Sequence, residues 1–155
     1  AGGGEVDTGK QLSLQSTYVL SNWQIGGNVN FNDAENAERT IVGAFAGVKT
    51  GPVTWLGEVD YIEDDGLFPP GRKQLAGFLE ANWMIRQGHN LKVTYGHFDP
   101  DNDLDEDERN RYSVVYEYFP MAFAQVRIGI RSSDGIPQND SQNVDSAFIQ
   151  LHGYF

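Results

Sequence analysis

Apolar and polar residues alternate along most of this chain with a period of two. The clearest stretch is KQLAGFLEANWMIR, residues 73–86. Leu75, Gly77, Leu79, Ala81 and Trp83 fall on one side, and Gln74, Glu80, Asn82 and Arg86 on the other. Alternation of this kind is the signature of a β-strand with two chemically different faces. Helical periodicity is almost absent. The pattern predicts nine strands, at roughly 11–20, 22–32, 39–49, 53–62, 73–86, 90–98, 110–119, 122–132 and 146–155. Most run to about ten residues, nearer the ~9–11 of a tilted strand that crosses a bilayer than the ~5–6 of a soluble strand.

The connections are expected to alternate between short and long. Short ones fall near residues 20–22, 50–52, 87–89 and 119–121. Long ones fall at 32–38, 63–72, 99–109 and 132–145, and all four are polar or acidic. Short turns on one side and long loops on the other are the pattern of an outer-membrane barrel. Aromatic residues follow the same two levels. Tyr18, Trp23, Trp55, Trp83, Tyr118, Phe123 and Phe155 lie beside the short turns, and Phe31, Tyr61, Phe98 and Tyr112 beside the long loops. Two aromatic belts are what two membrane–water interfaces select.

Composition narrows the classes. Only 39% of residues are hydrophobic, and no run approaches the ~18–20 consecutive apolar residues of a transmembrane helix. A membrane β-barrel stays open, because alternating strands have low average hydropathy. The chain has no cysteine and a formal net charge of −11. A disulfide framework, a Cys–zinc site and a thiol catalyst are therefore excluded, and nucleic acid is not an expected partner. The start, AGGGEVDTG, has neither a basic segment nor an apolar run, so it is not a signal peptide.

The long amphipathic hairpins of residues 11–155 and the terminal strand SAFIQLHGYF resemble the C-terminal portion of a Gram-negative outer-membrane β-barrel of the porin type. The resemblance implies an all-β, transmembrane, antiparallel up-and-down barrel. It implies location in the cell outer membrane, contact with outer-membrane lipid and lipopolysaccharide, and insertion by the barrel-assembly machinery. Phe155, Leu151 and Ile149 match the C-terminal assembly signal of that family, although Gly153 stands where an aromatic is more usual. Single-chain bacterial barrels have an even number of strands with both ends in the periplasm. Nine strands ending on a downward strand leave one unaccounted for. The chain is therefore expected to be part of a larger barrel, with residues 1–10 a loop remnant or flexible segment. Closure by several copies and a miscounted strand are the alternatives.

On this reading the polar faces line a lumen. The charged candidates are Glu58, Asp60, Glu80, Arg86, Lys92, Arg111, Glu117, Arg127 and Arg131. Acids concentrate on the fourth and fifth strands and bases on the sixth to eighth, an arrangement that either sets a field across a pore or makes cross-strand ion pairs such as Glu117 with Arg127. The segment DPDNDLDEDE places Asp99, Asp101, Asp103 and Asp105 at the alternating spacing of a calcium loop. Leu104 and Asn110 stand where the EF-hand pattern wants Gly and Glu, so a solvated acidic loop is the competing expectation. His89, His97 and His152 are scattered, and only Ser113 and His152 suggest a Ser–His pair on the polar side, so no enzymatic activity is expected. A porin-like channel for passive diffusion of small hydrophilic solutes or ions is the expected function. A structural barrel enclosing a partner protein and a soluble lipocalin-like binder are the alternatives.

Overall fold

The computed structural model describes residues 9–34, 37–66 and 71–154. Among these residues nine strands form a single antiparallel sheet: β1 (Lys10–Val19), β2 (Trp23–Ala34), β3 (Ala37–Thr50), β4 (Val53–Asp65), β5 (Arg72–Arg86), β6 (His89–Asp99), β7 (Arg109–Met121), β8 (Ala124–Asp134) and β9 (Val144–Gly153). Their order in the sheet is their order in the chain, so every connection is a simple hairpin. One turn of 3-10 helix, Asp140–Gln142, lies between β8 and β9. Among the described residues β1 and β9 do not pair with each other, and the sheet is open at both edges.

Each strand lies within a few residues of its expected position, and most extend further. The extension matters at residues 32–38, where the sequence predicts a long loop. Instead β2 and β3 continue their ladder until Ala34 pairs with Ala37, leaving only residues 35–36 between them. The alternation of short and long connections is therefore real for the later hairpins and is corrected at this one. Polar side chains such as Asn32, Asp33 and Glu38 extend a strand as readily as they fill a loop when both neighbouring strands offer backbone partners. At the opposite end, the two-residue turns at 51–52 and 87–88 use Gly51 and Gly88 at φ 61° and 77°, the left-handed conformation that tight hairpins require.

The register carries the two-faced pattern across the whole sheet. One face holds rows such as Leu12–Phe31–Thr40, Val48–Trp55–Ala81 and Val93–Val114–Ile130–Ala147. Its large apolar side chains are exposed: Ile130 is 62% accessible and Leu151 78%. The other face holds Gln11, Ser13, Gln15, Asn28, Asn30, Glu58, Asp60, Glu80, Lys92, Arg111, Glu117, Arg127 and Arg131. The buried polar residues Asp64, Gln74, Glu117 and Gln125 all belong to this second face. The polarity is thus the reverse of a soluble sandwich or barrel, whose apolar side chains turn inward.

The sheet curls with its polar face inside. A cavity of about 660 Å³ on this face is lined from Glu58 on β4 across to Val144 on β9. A second, lined from Ser13 on β1 to Glu58 on β4, meets the first at Glu58. A further depression of about 580 Å³ lies on the apolar face across β6–β9, but the buried residues Asp64, Gln74, Val115, Glu117 and Gln125 all lie on the polar face, as a sheet curled toward that side requires. Glycines on the inner face make room for rings: a Cβ added at Gly129 would lie 2.6 Å from Phe148 Cζ, across the β8–β9 ladder.

Two expected placements change. Phe98 sits opposite Ala76 and Arg109 on the inner, polar face, not in the outer aromatic belt. Tyr95, packed against Tyr112 with ring centroids 5.1 Å apart, takes its place on the outer face. A register shift between Met84 and Arg86 sets Arg86 opposite His89, whose row continues to Tyr118 on the apolar face. Arg86 is thereby separated from the other charged candidates. Phe155 lies outside the described residues; Ile149 and Leu151 are on the exposed apolar face.

Candidate functional site

The inner face divides into neutralised charges and free ones. Near the short-turn end, Glu117 is 3% exposed and sits between two cations. Its Oε1 is 3.3 Å from Lys92 Nζ and 3.1 Å from Arg127 Nε. Arg127 Nη1 also donates to Gln150 Oε1 at 3.1 Å. Beside this group, the Tyr154 hydroxyl donates to Gln125 Oε1 at 3.0 Å. The cross-strand pair expected for Glu117 and Arg127 is therefore present, with Lys92 as an added partner. A carboxylate this enclosed is tolerated because two cations and the strand register hold its charge.

Near the long-loop end a second neutralised group was not foreseen. Asp64 is 2% exposed. It accepts from both Arg39 Nε and Arg39 Nη2, the latter at 2.8 Å, and from Gln74 Nε2 at 3.0 Å. The planar guanidinium and the carboxylate meet in a fork. This group ties β3, β4 and β5 together near their long-loop ends.

Between these clusters lies the cavity. Its charged lining consists of Glu58 and Asp60 on β4 with Arg109 and Arg111 on β7, beside Asp134 at the end of β8. Among the described residues, Glu58, Asp60, Arg109 and Arg111 make no ion pair. The register explains why. Glu58 is followed across the sheet by Phe78, Gly96 and then Arg111. Asp60 is followed by Ala76, Phe98 and then Arg109. Acids and arginines are held three strand spacings apart, about 14 Å measured along the sheet. Two rings, each beside a small residue, form the floor between them. Glu80, expected with the acidic wall, accepts a hydrogen bond from Thr94 Oγ1 at 3.3 Å on the next level. Arg131 packs over the Phe148 ring at 5.6 Å.

The acidic loop between β6 and β7 is organised by its own carboxylates. Asp99 Oδ1 accepts from the backbone N–H of Asp101 at 3.1 Å, and Asp101 Oδ1 from that of Asp103 at 3.3 Å. The Asn102 N–H donates to the carbonyl of Lys73, pinning the loop to β5. Among the described residues no group of three or more His, Asp or Glu gathers in a way that could hold a metal ion. Asp99 and Asp101 thus serve turn geometry here, and Asp99, Asp101, Asp103 and Asp105 are not gathered into such a group.

Asp107 in this loop has an enclosed Oδ1 without a hydrogen-bond partner. Desolvation, then the charges of Asp99, Asp101 and Glu108 and a hydrogen bond with Asp99, push its carboxyl above the ordinary range. The folded loop thus holds this proton more tightly than the unfolded chain does. The charge penalty is full above the raised value and is relieved as pH falls through it toward the ordinary ~3.9. Asp107→Asn should raise the melting temperature near neutral pH and flatten its rise on mild acidification, as measured by thermal melts from pH 7.5 to 4.5.

Ser113 and His152 are both on the inner face but are not brought together. The Ser113 row meets β9 at Ser146, six residues from His152, about 20 Å along the strand. His97 Nδ1 and the Tyr95 hydroxyl both engage Asn110 Oδ1 on the outer face. The His89 ring stacks on Tyr118 beside the short turn.

No protein-family model matches the chain, and no curated protein matches it. What the fold and site define is a class of surface: an up-and-down antiparallel sheet with a charged, concave inner face and an apolar outer one.

Proposed function

We propose that this chain forms part of the wall of a porin-like outer-membrane barrel that lets small hydrophilic solutes or ions diffuse passively. The observation that supports this is the inverted polarity: apolar rows exposed on the outer face of all nine strands, with charged and amide side chains turned into the concave face. In a bilayer the outer rows meet hydrocarbon, the inner face is wetted, and backbone groups are satisfied strand to strand. The open edges of β1 and β9 then close against further strands, from a longer polypeptide or from other copies. A soluble lipocalin-like barrel calls for the opposite polarity.

Filtering follows from the inner charges. Lys92, Glu117 and Arg127 pair locally, leaving one positive charge over, and stiffen the wall. Glu58 and Asp60 facing Arg109 and Arg111 leave a transverse field that biases the passage of charged solutes. The test is reconstitution of the complete barrel-forming protein, purified from outer membranes in detergent, into a planar bilayer. Stepwise conductance that changes its ion preference on Arg109→Gln with Arg111→Gln is the expected result. A protein that is soluble without detergent would overturn the membrane reading. Absence of conductance from the complete barrel would favour a barrel that encloses a partner.

A further inference from the structure

We propose that the cavity between β4 and β7 is a binding site for zwitterionic solutes of about dipeptide size that carry an aromatic group. The inference deepens the channel reading: it rests on that reading for the solute's route to the site, not for the binding itself.

Three observations converge. First, the register builds the same motif twice on adjacent levels: acid, ring or small residue, small residue or ring, arginine. Glu58 and Arg111 end one row, and Asp60 and Arg109 the other. Because alternate residues share a face, two consecutive inward levels of four strands must agree for this to occur. Second, these four charges are unpaired among the described residues, whereas other inner-face carboxylates (Glu117 and Asp64) are neutralised. Unpaired charges of opposite sign on facing walls create a field that a ligand with matching ends would satisfy. Third, Phe78 is 39% exposed on the charged inner face, and Phe78 and Phe98 both line the cavity. An exposed ring on a wetted wall offers apolar area to a guest at little entropic cost.

The geometry selects the ligand. The walls stand about 14 Å apart along the sheet, and the Glu and Arg side chains reach inward from each. The remaining gap is on the order of an extended dipeptide, ~7 Å. The ammonium end would lie against Glu58 and Asp60, and the carboxylate end would meet the guanidinium forks of Arg109 and Arg111, which suit a planar carboxylate. The aromatic side chain would pack on Phe78 and Phe98. The cavity, about 660 Å³, falls in the range that holds a small molecule.

The test uses four probes on the complete protein in detergent micelles, by isothermal titration calorimetry at pH 7. These are glycyl-phenylalanine, its N-acetyl form without the ammonium, its C-terminal amide without the carboxylate, and diglycine without the ring. Glycyl-phenylalanine should bind at least tenfold more tightly than each of the others. Glu58→Gln with Asp60→Asn should abolish its advantage over the N-acetyl form, and Arg109→Gln with Arg111→Gln its advantage over the amide. Equal binding of all four probes, or no binding by a protein that still conducts, would overturn the site and leave the channel standing. The same ranking in a protein that does not conduct would keep the site and overturn the channel. The probe series needs no mutation, so it decides the matter even where a variant fails to fold.

Discussion

Arginine in place of Val93 is expected to destabilise the protein in a bilayer by about 2–4 kcal/mol, the cost of Arg on the lipid face near the midplane. The same substitution one residue later, at Thr94, should cost less than about 1 kcal/mol, because opposite charges across a ladder are mildly favourable. The two positions are neighbours on β6, yet the register separates their surroundings. Val93 lies between Ala81 and Val114 on the outer face, and Thr94 lies between Glu80 and Ser113 on the inner one. At Thr94 the new guanidinium would stand opposite Glu80, which already accepts a hydrogen bond there. Urea titration of the protein folded into vesicles measures both. Equal costs at the two positions would mean that the faces do not differ in solvent.

The second large effect is expected at Glu117. Replacing it by alanine leaves Lys92 and Arg127 facing each other without the carboxylate that separates them. Removing one member of a buried ion pair costs about 3–5 kcal/mol. The two cations here keep 26% and 29% of their side-chain surface exposed, so water offsets part of that, and about 2–3 kcal/mol remains. A triple replacement, Lys92→Met with Glu117→Leu and Arg127→Met, should recover most of the loss, because an apolar set of similar volume removes the uncompensated charge. Unfolding midpoints of the two variants check this. A neutral Glu117→Ala would show that water, not the pair, solvates these groups.

Much of this fold is legible from period two alone. With alternate residues on opposite faces, a two-residue turn at 51–52 places Arg39 opposite Asp64, even though they are 25 residues apart. That pair is readable in principle, but only once β4 is allowed to run past residue 62, where the sequence turns acidic. Residues 32–38 were hard to read for the same reason: the cue for a loop is polarity, and polar residues also extend strands whose neighbours supply partners. Phe98 shows a different failure. Parity with Lys92 and Thr94 puts it on the polar face, whereas its aromatic character suggested a belt. The alternation was the stronger signal, since a one-residue slip would have turned every other side chain of β6 the wrong way. Arg86 was not legible, because a bulge after Met84 shifts the phase without a local mark in the sequence.

The candidate site was half visible. Acids on the fourth and fifth strands and bases on the later ones can be read along the chain. Which of them cancel cannot, because that depends on row-by-row register over four strands. Register pairs Glu117 with Lys92 and Arg127. The same register holds Glu58 and Asp60 apart from Arg111 and Arg109 by two strands carrying Phe78 and Phe98. Arg109 is the last residue of the loop expected at 99–109, so the alternation does not assign it to the inner face.

The central claim is that the apolar face meets lipid and the polar face meets water. The absence of cysteine makes single-cysteine spin labelling straightforward. The most direct measurement is accessibility of labels placed one at a time along residues 111–118 of β7, in vesicles, to oxygen and to a water-soluble nickel chelate. The account predicts opposite oscillations of period two, with oxygen maxima at positions 112, 114, 116 and 118 and nickel maxima at 111 and 113. Nickel maxima at 112, 114, 116 and 118, or no alternation at all, would contradict it.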